Sequence, residues 1–365
     1  MRRPSGQIAL FVVLSFALAW AVAAPLWLGD GLADRRFGLI AMAMMFTPTV
    51  AALVVVLLIG RPTRILYALG IWPLGRPGRF IGYLALAIVV PTALCLVALP
   101  VGAWLGVYPA DFANLSAFAQ VLEQQGVPDM GIPIQALAAL QLINIVVAAF
   151  LNLIPALGEE IGWRGWLLPK LMPLGPLGAI AVSGVIWGVW HAPLILLGYN
   201  YPLAPGWLGV AMMTGMCILI GGVFGWLRLR SDSVWPAALA HGAFNAAAGS
   251  FVIFAMAGET VDTVHASILG WSGWIAPALL LALIVGAGKF RLRPNPAVVA
   301  ADAGLSAGQV GPSEEVTDVV AAGSGQPGTA QTGPGQPGTA QPGTAHGHGP
   351  TTAHDGDSGP TASRP

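Results

Sequence analysis

Residues 206–227 read GWLGVAMMTGMCILIGGVFGWL and carry no charge until Arg228 and Arg230 follow directly. A hydrocarbon core about 30 Å thick is crossed by about 20 apolar residues in a helix, so this stretch is long enough to span a bilayer and ends on the cations that anchor a span at its edge. Comparable runs occur at about 8–28, 37–59, 80–107, 132–156, 176–197, 234–257 and 268–287, so the pattern predicts about eight transmembrane helices. The composition agrees: 56% of the 365 residues are hydrophobic and only 9% are charged, with strongly positive mean hydropathy. The expected fold class is all-α, a polytopic membrane helix bundle in contact with the lipid bilayer. The formal net charge is zero, which suggests no nucleic-acid partner. Cys95 and Cys217 sit inside apolar runs without metal-type spacing and read as buried, inert thiols.

Arg2 and Arg3, then Arg61, Arg64, Arg76 and Arg79, then Arg164 and Lys170, then Arg228 and Arg230, then Lys289, Arg291 and Arg293 fall on one side of the spans, and only Arg35 and Arg36 fall opposite. The loops facing the other way carry Asp111, Glu123, Asp129, Glu259 and Asp262 instead. Positive residues stay cytoplasmic, so both termini are expected inside, in an integral protein of a bacterial cell membrane. The first run has an alternative reading as a cleaved leader, because Ala21-Val22-Ala23 resembles a small-residue cleavage site. Its apolar stretch continues through Pro25-Leu26-Trp27-Leu28, which favours a retained span. Beyond Pro294 the chain turns to Gly, Pro, Ala, Thr and Gln, with Gln326-Pro327-Gly328-Thr329-Ala330 returning at 336–340 and 341–345, the composition of a disordered tail. His346, His348 and His354 in it are assigned no chemistry. The expected organisation is N-terminal spans over 1–130, a catalytic membrane core over 131–257, a last span over 258–293 and the tail over 294–365.

Ionisable side chains near membrane depth are costly, so the few present are functional candidates. Three clusters stand out. In Glu159-Glu160-Ile161-Gly162-Trp163-Arg164 a helix would pair Glu160 with Arg164 at i and i+4 and turn Glu159 about 100° away, leaving one carboxylate anchored and the other open to a proton. The plain alternative is a loop with surface charges. In Trp187-Gly188-Val189-Trp190-His191 the imidazole lies inside a span, where it is either a ligand for chemistry or a satisfied core residue. In His241-Gly242-Ala243-Phe244-Asn245 the imidazole and the amide share a helical face, with small residues between them that admit a substrate backbone or another helix.

One cavity lined by Glu159, His191, His241 and Asn245 would hold the parts for amide hydrolysis. A carboxylate and an imidazole can take the proton of a water, and a second imidazole and an amide can donate to the oxygen of the tetrahedral intermediate. Neither a Ser-centred elbow, a Gly-Lys-Ser/Thr loop nor a His-Glu-x-x-His motif competes with this set.

The order Glu-Glu-x-x-x-Arg, aromatic-x-x-x-His and His-x-x-x-Asn on separate hydrophobic segments resembles the CPBP family of intramembrane proteases, which includes CAAX prenyl protease 2 and the Abi-type, bacteriocin-processing proteins. The resemblance covers about residues 130–250, and Arg164-Gly165-Trp166-Leu167-Leu168-Pro169 also looks like the family. It implies that Glu159 and His191 activate water, that His241 and Asn245 form the oxyanion site, and that Glu160 and Arg164 support them. Trp187, where the family often has Phe, keeps an aromatic wall of the substrate pocket and bears on substrate shape. The expected chemistry is metal-independent. Zinc on Glu159, His191 and His241 is the alternative, disfavoured because the remaining group, Asn245, is a poor zinc ligand.

The substrate is expected to be a peptide or membrane protein, prenylated or not. Two readings from other classes stand beside the protease: a transporter with an intramembrane proton relay, and a non-catalytic immunity or scaffold protein. Depth fits the site imperfectly. At about 1.5 Å per residue, His241 lies about 10 Å from the cytoplasmic end of its span and His191 about 22 Å if its helix starts near Pro176. A kink near Pro193 or a fifth helix that starts outside the bilayer would reconcile them.

Overall fold

The computed structural model describes residues 4–72, 74, 76–128 and 131–291, which are mostly helical and contain no strand. The expectations for Arg2, Arg3, Asp129, Arg293 and everything from Pro294 onward, including His346, His348 and His354, lie outside the described residues.

Among those residues seven helical stretches are long and apolar enough to cross a membrane: Ser5–Trp27, Phe37–Gly60, Pro77–Trp104, Ile134–Leu151, Leu153–Trp190, Gly206–Ser231 and Val234–Phe254. The last expected span is a shorter apolar helix, Trp271–Gly286, so among the described residues seven of the eight expected spans reach the length that crosses a membrane. Val13, Leu140, Ile143 and Leu283 are more than three-fifths exposed on the outside of their helices. Such large apolar side chains on the outer surface are what a lipid solvent requires and water penalises. The chain is an integral membrane protein.

The helices that position the site are α1 (Pro4–Trp27), α2 (Phe37–Met45), α3 (Thr47–Val55), α4 (Pro77–Trp104), α5 (Ser116–Gln124), α6 (Ile134–Leu151), α7 (Leu153–Glu160), α8 (Gly175–Trp190), α9 (Gly206–Ser231), α10 (Val234–Ala247) and α11 (Ile275–Gly286). α9 and α10 are the most buried, with α8 packed on α9 and with α4 and α6 packed on α10. The α8–α9 approach is close because Gly184 and Gly188 lie one turn apart. A Cβ on Gly188 would sit 2.8 Å from Thr214 Oγ1, so only hydrogen there lets the two backbones meet.

Proline divides the expected fourth span. The ring of Pro155 blocks the carbonyl of Leu151, α6 ends there, and the chain restarts after Asn152 as α7. α7 then runs into a π-helical stretch, Ile161–Leu167, and the helical path continues to Trp190. The pair Glu159-Glu160 is therefore within helix and buried, at 2% and 0% exposure, with Arg164 at 2%. The surface-loop alternative for these charges is set aside. The expected fifth span, beginning near residue 176, is only the second half of this path. Pro193 ends α8 at Trp190, with a turn at His191 before a short helix, Ala192–Ile195.

α1 packs against the π-helical stretch. Phe11 is fully buried, with its ring 5.4 Å edge-on from Trp163 and 4.7 Å from Trp166. Aromatic pairs of this kind add about 0.5–1.5 kcal/mol beyond burial. The loop before α5 is tied to the chain around residues 251–255 by the Ala110–Ala255 bridge and by Tyr108, whose hydroxyl donates to the Phe251 carbonyl at 2.5 Å. Cys95 and Cys217 are free and buried.

Candidate active site

α7, the π-helical stretch, α8 and α10 bring the three polar clusters to one place. Glu159, Trp187, His191, His241 and Asn245 all line a single cavity of about 430 Å³, with Met213, Met216 and Phe244 among its apolar walls. Glu160 and Arg164 do not line it and lie directly behind.

The two adjacent carboxylates have separate partners, as their 100° offset on a helix requires. Glu159 Oε2 accepts from the indole N–H of Trp187 at 2.7 Å and from that of Trp163 at 3.3 Å. Among the described residues both hydrogen bonds to Glu159 fall on this one oxygen, which leaves Oε1 for a ligand from the cavity. Glu160 Oε1 accepts from Arg164 Nη1 at 2.7 Å and lies 3.0 Å from His241 Nδ1, while its Oε2 is buried without a hydrogen-bond partner. The Arg164 guanidinium in turn lies 4.1 Å over the Trp187 ring and 5.5 Å over Phe224. A buried ion pair needs further partners, and here an imidazole on Glu160 Oε1 and two aromatic faces on the guanidinium supply part of what it needs.

His191 Nδ1 lies 2.9 Å from the Trp187 carbonyl. A carbonyl only accepts, so Nδ1 carries the proton and, in the neutral ring, Nε2 holds the lone pair. Cys217 Sγ stands 4.0 Å from the same Nδ1 and adds a soft, buried neighbour. His241 is sandwiched, with Phe224 stacked on it at 5.5 Å and Trp187 edge-on at 5.3 Å. Asn245 is exposed, one helical turn beyond His241 on the cavity side of α10. Between them Gly242 admits α6: a Cβ there would stand 2.5 Å from the Ala149 carbonyl oxygen, and Asn152 Nδ2 donates to the Gly242 carbonyl at 3.4 Å. Another helix, not a substrate backbone, fills the gap those small residues leave.

Three features of the site were not anticipated from the sequence. The tie between His241 and Glu160 joins residues 81 apart in the chain and has no local signal. The indole N–H of Trp187 turns an expected pocket wall into a hydrogen-bond donor. Trp163 reaches Glu159 by the same i, i+4 spacing that pairs Glu160 with Arg164, and that spacing was the available clue.

Zinc, if bound here, would have to be held by Glu159, His191 and His241. Among the described residues no three His, Cys, Asp or Glu side chains are gathered into a set that could hold a metal. Glu159 Oε2 is held by two indoles, His191 Nδ1 by the Trp187 carbonyl and His241 Nδ1 by Glu160, so Glu159 Oε1 and the two Nε2 atoms are the ones left to face a ligand.

Residues 141–247, which contain every residue of the cavity discussed above, match the family model described as Rce1-like, type II CAAX prenyl endopeptidase Rce1-like. The protein called CAAX prenyl protease 2 from Methanococcus maripaludis is 37% identical over 59 residues, which is 16% of this chain and 22% of that protein. The alignment thus spans less than a quarter of that relative's length. The helices that build the cavity, over residues 141–247, are thus similar to the Rce1-like type II CAAX prenyl endopeptidases, over less than a third of the chain.

Proposed function

We propose that this chain is an intramembrane endopeptidase that hydrolyses a peptide bond with water activated by Glu159 and His191. The observation that carries the reading is the bridge through Trp187. One residue gives its indole N–H to Glu159 and its backbone carbonyl to His191, so a carboxylate and an imidazole are held at one cavity by a common strut.

In this mechanism a water sits between Glu159 Oε1 and His191 Nε2. As its oxygen attacks the scissile carbonyl carbon, its proton passes to the Glu159–His191 pair, and the same pair returns a proton to the leaving amine. The carbonyl oxygen becomes an oxyanion and accepts from the Asn245 amide and from Nε2–H of His241 in its imidazolium form. Glu160 holds that imidazolium through Nδ1, and Arg164 holds Glu160. The order of support is that of an orienting carboxylate behind a working imidazole. No step runs through a metal.

The substrate on this reading is a peptide or membrane-protein segment that reaches the cavity from the bilayer, and Met213, Met216 and Phe244 give it an apolar wall. Whether a prenyl group is recognised is decided by comparing a prenylated reporter with its unprenylated form. The Arg and Lys bias supports a reading with both termini in the cytoplasm and the site served from that leaflet of a bacterial cell membrane. In a membrane-anchored reporter assay, Glu159→Ala and His191→Ala abolish cleavage while expression stays at the wild-type level. Full cleavage by either variant rules the mechanism out.

A further inference from the structure

A second cavity, about 560 Å³, opens between α4, α9 and the end of α11 and shares no lining residue with the first one. Its lining has a direction. On α4 the order is Arg79, Tyr83, Leu86, at i, i+4 and i+7 along one helical face. On α9 it is Arg230 followed one turn inward by Trp226, whose ring is 6.4 Å from that of Tyr83. Beyond α11 it is Lys289, with Ile284 and Leu283 inward. Each of the three elements therefore places a cation at the same end of the groove, with a ring next to it on α4 and α9 and aliphatic side chains further in on α4 and α11.

No acidic residue lines the cavity. Among the described residues the nearest carboxylate, Asp232, feels the charge of Arg79 but is shared with Arg228 at 3.6 Å, so three groove cations face at most one part-committed acid. The guanidinium of Arg79 donates to the Arg230 carbonyl and lies 5.6 Å over the Tyr83 ring, which holds it at the rim. Arg79 and Lys289 are exposed and Arg230 is half-buried, so all three present charge at the mouth of an apolar groove.

We propose that this groove binds an anionic phospholipid of the surrounding membrane, with its phosphate among Arg79, Arg230 and Lys289 and an acyl chain lying along Leu86 and Leu283. The gradient matches the molecule: a headgroup needs cations at the interface, the ester region tolerates aromatic rings, and the chain needs aliphatic contact. A peptide fits less well, because apart from the Tyr83 hydroxyl the lining side chains supply no acceptor for its N–H groups.

The test uses the full chain, purified in detergent and offered equal amounts of phosphatidylglycerol and phosphatidylcholine, with retained lipid read by native mass spectrometry. Wild-type protein should keep phosphatidylglycerol preferentially. Arg79→Gln/Arg230→Gln/Lys289→Gln should lower that retention about tenfold or more, whereas Arg61→Gln/Arg64→Gln, with a similar loss of charge outside the groove, should not. If the triple variant melts early, the single exposed change Lys289→Glu is read in the same way and should also weaken retention. Excess inorganic phosphate should not displace the lipid. Equal retention of both lipids, equal loss in the Arg61/Arg64 control, displacement by phosphate alone, or unchanged retention in the groove variants would each overturn the proposal.

Discussion

Glu159 and Glu160 are neighbours in sequence and opposites in setting. Glu159 holds two neutral indole donors and faces the cavity, so Glu159→Gln is expected to abolish proteolysis and leave thermal stability in detergent near wild type. Glu160 is the partner of a buried guanidinium, and Glu160→Ala would strand Arg164 without its counter-charge. Losing one member of a buried pair costs about 3–5 kcal/mol, so this variant should show a clearly lowered melting temperature as well as lost activity. Equal stability of the two variants would contradict the assignment. Trp187→Phe keeps the ring and removes only the N–H that Glu159 accepts. A hydrogen bond to a charged group contributes about 1.5–3 kcal/mol, so kcat should fall about 10–100-fold with little change in KM. The identities of these residues and the helical offset between the two carboxylates were readable in the chain, because i, i+4 geometry is local. The link from His241 to Glu160 was not, because it depends on how α10 docks against α7.

At the scale of elements, spans were legible wherever a run was long and uninterrupted, as in α4 and α9. They were misplaced where polar residues lie inside a helix. The stretch 157–175 contains Glu159, Glu160, Arg164 and Lys170, which breaks its apolar pattern, and only packing against α1 and α3 shows that its Ile161–Leu167 part is a buried π-helical connection. Counting residues from an expected helix start near Pro176 separated His191 from His241, whereas both line one cavity. The helical path begins at Leu153. The short last helix was overextended because its apolar composition runs past the turns at both ends. Gly242 is the contact on which α10 depends. Gly242→Ala would push α10 from the Ala149 carbonyl, at a cost of about 1–3 kcal/mol for overpacking, and would displace His241 and Asn245 together. Activity should therefore fall by more than the loss of stability accounts for, measured as cleavage at a temperature where the variant remains folded. Wild-type cleavage by this variant would show that the α6–α10 spacing does not set the site.

For the molecule as a whole, the charge bias predicts an orientation that labelling can read, since Cys95 and Cys217 are buried and give little background. On intact cells an impermeant maleimide should label Glu259→Cys and not Arg64→Cys; the reverse pattern would invert the topology. Composition and periodicity were enough for a membrane bundle, and the three motifs were enough for a hydrolytic hypothesis. What they did not contain is the division of labour behind the cavity, where Arg164 and Glu160 support His241 while Trp187 joins Glu159 to His191. The most direct test of that account is cleavage of a membrane-anchored reporter in proteoliposomes by wild-type protein and by Glu159→Gln, each with a strong chelator present throughout. The account predicts cleavage by the wild type under chelation and none by Glu159→Gln; cleavage by Glu159→Gln at the wild-type rate, or wild-type activity lost to the chelator and restored by zinc, would contradict it.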